Sequence, residues 1–189
     1  MPLKLFDLDI VCEVDAQAAG WPLPGEAMNE YGLGGNRDYV DLRRCSWRSA
    51  REALVAETEY LEYLASGAEI PPDDDEIWNE MYEDERLQGL DLGIVSTVLA
   101  LSAAGCVPVT SCNGGCLGDR HHEFCPLVVF FARENCIPLL LQTAQGAGTG
   151  LRNGLAGTLC VYADDILKML KFAQGLLDHS VDFRGLRST

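Results

Sequence analysis

Residues 110 to 125 read TSCNGGCLGDRHHEFC, which gathers three of the chain's eight cysteines and two of its three histidines. Two chemistries fit those residue types. In the first, Cys112, Cys116, His121 and Cys125 hold a cation. Three thiolates and an imidazole are a common structural zinc set, so zinc is the cofactor this stretch suggests. The spacing C-x3-C-x4-H-x3-C has the span of a zinc knuckle, C-x2-C-x4-H-x4-C, with both inner ligands displaced by one position. In the second, Cys112 is a nucleophile, His121 or His122 is its base, and Glu123 orients the imidazole. A thiolate becomes reactive when a neighbouring histidine lowers its pKa. Asn113 and the amides of Gly114 and Gly115 would then face an oxyanion. A third reading is a hairpin loop whose cysteines pack and whose histidines make hydrogen bonds. Adjacent strand residues point to opposite faces, so His121 and His122 would not serve one site together.

Whatever its chemistry, the stretch must be held by strands. CVPVTSC (106–112) and PLVVFFA (126–132) read as the two strands flanking it. Before them, LDLGIVSTVLALSAAG (90–105) reads as a helix ending at Gly105. After them, a helix starts near Pro138, proline being favoured in a first turn. GTLCVYA is a third strand, and Asp164 is placed to cap the helix DDILKMLKFAQGLL. That order predicts an α/β (α+β) sandwich, a mixed sheet with helices packed on it. Cys112 would lie at a strand's carboxyl end, where α/β proteins commonly place sites.

VTSCNGG at a strand end, PLVVFFA, and AQGAGTGLRNG running into GTLCVYA together resemble the wybutosine-synthesis methyltransferase family that acts on tRNA. Members carry Ser-Ser-Cys-Ser-Gly-Arg after a strand, and a later turn before another strand. Ser111, Cys112 and Gly114 match; Thr110 stands for the first Ser and Gly115 for the Arg. The resemblance covers about residues 96–163. It implies an α/β sandwich with a site around Cys112.

The N-terminal half is different in kind. Phe6, Leu8, Ile10, Cys12 and Val14 alternate with Asp7, Asp9, Glu13 and Asp15, the period-two pattern of a half-buried strand that could join the sheet at its edge. A long Gly- and Pro-rich connection follows (20–40). Ser49-Ala-Arg-Glu52 fits a capping box opening a helix that runs towards Gly67. EIPPDDDEIWNEMYEDE (69–85) carries nine acids, yet Ile77, Trp78, Met81 and Leu87 recur at helical spacing. Residues 1–189 are expected to form a single domain, with 1–89 as an acidic half and 90–180 as the α/β core half.

Fourteen Lys and Arg stand against 29 Asp and Glu, a formal net charge of −15. Phosphate backbones are bound by clustered cations, and no basic stripe is present, so nucleic acid and anionic membranes are disfavoured. No apolar run reaches the roughly 18–20 residues that span a bilayer, and no signal peptide precedes the first strand. A cytoplasmic location keeps the thiols reduced, so eight cysteines are not read as four disulfides.

Two functions from different classes follow. One is a small acidic binding protein of regulatory, antidote or immunity type. It would engage a basic protein through Asp73, Asp74, Asp75, Glu76, Glu80 and Glu83. The other is an enzyme or ligand-binding domain built on Cys112, Asn113, His121 and His122.

Overall fold

The computed structural model describes residues 3–22, 42, 45–66, 81, 83–116 and 123–186. Its centre is a mixed sheet of five strands in the order β1-β4-β5-β3-β2, with helices packed on it. The strands are β1 (Cys12–Glu13), β2 (Val107–Cys112), β3 (Leu127–Phe131), β4 (Gly150–Asn153) and β5 (Leu159–Tyr162). β2, β3, β5 and β4 pair antiparallel in turn, and β1 lies parallel to β4 at the sheet edge. The helices are α1 (Trp47–Ala65), α2 (Val95–Ala103), α3 (Ile137–Ala147), α4 (Ile166–Asp178) and α5 (Ser180–Leu186).

Side-chain alternation divides the sheet's two faces. Val128 and Phe130 of β3, Leu151 of β4, and Leu159 and Val161 of β5 join the main core beneath the helices. Leu127, Val129, Cys160 and Tyr162 turn the other way. There they meet Phe6, Leu8 and Ile10 of the N-terminal segment. Every residue of α2 is buried, as expected of a helix apolar all round, and it packs between α1 and α4. α1 gives Leu54, Leu61 and Leu64 to the same core, each worth about 1.5–3 kcal/mol when buried. The acidic half is thus continuous with the core half through this helix. Trp47 closes the far side, its ring 6.2 Å from that of Phe183 on α5.

Two predicted caps sit elsewhere. α1 starts at Trp47, not at Ser49, because the Ser46 side chain accepts from the Ser49 N–H at 3.0 Å and Trp47 is needed in the core. Glu52 pairs with Arg48 one turn back at 2.8 Å. α4 is capped by Asp165, which accepts from the Leu167 N–H at 2.9 Å, while Asp164 pairs with Lys168. Two elements were not foreseen. β4 occupies Gly150–Asn153 inside what reads as a turn, and α5 follows α4 after a break at His179.

Candidate functional site

Cys112 ends β2, in register with Leu127. The bulge between Pro108 and Thr110 turns it to the same face as Leu127 and Tyr162. Its side chain is 7% exposed. The chain then reverses through Gly114 and Gly115, at φ +69° and +68°, a region that only glycine enters without strain. Space demands glycine at 114 as well. A Cβ there would lie 2.4 Å from the Cys125 carbonyl carbon and 2.8 Å from the Pro126 nitrogen.

The described polar groups of the turn bond within the fold. The Gly114 N–H points at the Cys112 sulfur at 3.3 Å. The Gly115 N–H donates to Asn113 Oδ1 at 2.9 Å, and Asn113 Nδ2 donates to the Leu92 carbonyl at 3.3 Å. Asp91 accepts from the Asn113 N–H at 3.4 Å. Asn113 therefore ties the turn to residues 91–92, and both glycine amides bond within the turn, so the expected oxyanion donors all have partners inside the fold. The Cys116 carbonyl takes the Lys4 N–H at 3.1 Å, which fastens the N-terminal segment to the loop.

Of the three described thiols of the candidate zinc set, Cys116 is set apart by the sheet, while Cys112 and Cys125 lie on one face, near enough that Cys112 adds to the upward shift of the Cys125 thiol. Cys116 lies in the helix-side core, Cys125 packs with Cys160 and Tyr162 on the opposite side of the sheet, and Cys112 stays at the end of β2. Among the described residues no group of three or more His, Cys, Asp and Glu side chains is placed to hold a metal ion. His121 and His122, the fourth ligand and the candidate bases, lie outside the described residues. None of the eight cysteines is joined in a disulfide. Burial pushes the Cys125 thiol up, and pushes that of Cys160 up to about 11, against the pull of the Arg152 guanidinium. Those two sulfurs stay protonated and unreactive at neutral pH.

Behind the loop sits a residue not singled out from the sequence. Glu57 is fully buried on α1. Its Oε1 accepts the N–H groups of Gly93 and Val95 at 2.7 Å each, and its Oε2 accepts that of Ser96 at 2.9 Å. α2 has no cap of its own, since Ile94 provides no side-chain bond. Glu57 reaches across from another helix to satisfy the N–H groups a helix start leaves bare, and its charge suits the positive dipole end. Burial nevertheless raises its pKa above the ordinary glutamate value, the Ser96 side chain and the three N–H groups opposing the shift. A signal was available: Leu54, Glu57, Leu61 and Leu64 share one helical face, so an acid falls in the buried stripe.

The described carboxylates at the surface are arranged differently. Asp7, Asp9, Glu13 and Asp15 are all exposed, as the period-two pattern predicts, with Phe6, Leu8, Ile10, Cys12 and Val14 partly buried between them. No ion pair joins any of the four to a cation among the described residues. Glu83 is exposed; Asp73, Asp74, Asp75, Glu76 and Glu80 lie outside the described residues. No helix among the described residues is long and apolar enough to cross a membrane.

Compared with models of known families, with curated proteins and with solved structures, the chain finds no match. The resemblance to the tRNA methyltransferase family thus rests on Ser111, Cys112 and Gly114 and on the order of strands and turns.

Proposed function

We propose that this chain acts by binding, and that its partner is a basic protein held through exposed carboxylates in the cytoplasm, in a regulatory, antidote or immunity role. The observation that carries the reading is an excess of acid, part of it displayed at the surface of the described residues. The net charge is −15, and Asp7, Asp9 and Glu13 stand in solvent with no ion pair to a cation among the described residues. Such a surface raises the encounter rate with a cationic partner and repels polyanions. The sequence adds a second acidic run at residues 69–85. The Cys112 turn supports the reading from the other side, because its donors hold the fold together and its thiol is nearly buried. Eight cysteines without a disulfide suit a reducing compartment.

The test is cross-linked capture from the source cells, followed by reconstitution with the purified partner. The expected partner is basic, and Cys112→Ala changes stability but not affinity. A partner that is itself acidic, or binding abolished by Cys112→Ala in a folded protein, would contradict the proposal.

A further inference from the structure

We infer that the outer edge of β1, with the acidic ribbon leading into it, is a docking edge for an extended basic segment of the partner, which adds to the sheet as one more strand. The inference rests on the basic-partner reading and assigns it a surface and a geometry.

Among the described residues β1 is the terminal strand of the sheet, and β4 takes one of its two sides. The Leu151 N–H donates to the Val11 carbonyl at 2.9 Å, and Cys12 and Glu13 pair with Leu151 and Arg152. Val11 and Glu13 therefore turn their backbone groups towards β4, while Cys12 and Val14 turn theirs outward. An outward row of N–H and C=O groups is a template for another strand.

The side chains beside that edge select what can use it. Leu5, Asp7, Asp9, Val11, Glu13 and Asp15 have the same parity and are all exposed, Leu5 by 73% and Val11 by 44%. Alternate residues of an extended chain stand about 6.6 Å apart on one face. Val11 thus sits between two carboxylates, Asp9 and Glu13, a pattern met by a strand reading cation-x-aliphatic-x-cation. Glu13 already lies in register with Arg152, so a cation on the added strand would flank this carboxylate on its second side. Direct opposition of unlike charges favours such pairing, and like charges oppose it. A second copy of this chain would bring acid against acid, which leaves a basic segment as the occupant.

The ribbon is anchored well enough to serve. Tyr162 O–H donates to the Asp9 carbonyl at 3.1 Å and accepts the Val11 N–H at 3.1 Å. The Asp15 N–H donates to Asn153 Oδ1 at 2.8 Å, and Asn153 Nδ2 donates back to the Asp15 carbonyl at 3.0 Å.

The probe is a synthetic peptide reading Thr-Lys-Thr-Val-Thr-Lys-Thr with blocked ends, beside the same peptide N-methylated at its threonines and a third with glutamate for lysine. Binding to the full chain is followed by titration and by amide exchange. The expected result is slowed exchange at Cys12 and Val14, and affinity at least tenfold weaker for the N-methylated peptide, for the glutamate peptide, and for the protein carrying Asp9→Asn with Glu13→Gln. Equal binding of the plain and N-methylated lysine peptides would overturn the edge and leave charge attraction standing. Equal binding of the lysine and glutamate peptides would overturn both. Unchanged exchange at Cys12 and Val14 while the lysine peptide is bound would move the contact elsewhere and so overturn the edge alone.

Discussion

At the scale of single residues, Gly114 separates a conformational demand from a spatial one. Its φ of +69° is matched by Gly89 at +68°, but Gly89 has nothing within 4 Å of a built Cβ, whereas Gly114 meets the Cys125 backbone at 2.4 Å. Gly89→Ala carries the left-handed cost alone, about 1–2 kcal/mol. Gly114→Ala adds a backbone clash, about 1–3 kcal/mol more. Urea denaturation of the two variants should rank them in that order, and equal losses would show that the loop yields to a methyl group. Asn-Gly-Gly announces a sharp turn, so this much was legible in the sequence. Its partner was not, because the approach of Cys125 depends on the register of β2 against β3. The reach of Asn113 to Leu92 was hidden for the same reason: it crosses 21 residues of sequence.

Glu57 also acts as a residue whose role depends on an element. The folded chain raises its pKa above the ordinary glutamate value, so the unfolded chain releases this proton at lower pH than the folded one. The contribution is fully present below the unfolded value, about 4.3. It drains away as pH rises through the folded pKa. Glu57→Gln cannot ionise, and it turns an amide N–H2 group towards the Ser96 N–H or the Gly93 and Val95 pair. An unmet buried donor costs about 1–3 kcal/mol. The wild type should therefore exceed Glu57→Gln in stability most clearly near pH 4.5, and the gap should narrow steadily towards neutrality. A gap that widens with pH would mean that the three N–H groups outweigh burial.

Among the elements, those with strong period survived translation into structure: α1, α2, α4 and the two strands flanking the Cys112 loop, while the N-terminal segment kept its alternating exposure but only two residues of strand. Caps moved because serines and aspartates come in near-duplicate pairs, and tertiary packing chooses between them. Ser46 prevails over Ser49 since Trp47 belongs in the core, and Asp165 over Asp164 since the latter faces Lys168. β4 was hidden by its glycines. Gly150 lies where a Cβ would strike the Tyr162 ring at 2.3 Å, so the residue that looks like a turn signal is what lets an aromatic ring cross the strand. The N-terminal segment gives only Cys12 and Glu13 to the ladder, since Tyr162 and the Cys116 and Asp164 carbonyls take up much of its earlier backbone.

For the molecule as a whole, charge was the most legible property and the Cys112 stretch the most ambiguous. Net charge needs no fold to be counted. Convergence of thiols and imidazoles does, and of the described thiols Cys116 lies on the helix side of the sheet while Cys112 and Cys125 face the other way. The same fold carries its four N-terminal acids outward along the segment that leads through β1, and none of the four is in an ion pair with a cation among the described residues. Association through such a surface is screened by salt over a Debye length of about 8–10 Å. The measurement that tests this account most directly is the affinity of the reconstituted complex as a function of salt, for the wild type and for Asp7→Asn, Asp9→Asn and Glu13→Gln combined. The account predicts affinity that falls steeply with salt in the wild type and along a visibly shallower slope in the variant. An affinity indifferent to salt, or one with the same slope in both proteins, would contradict it.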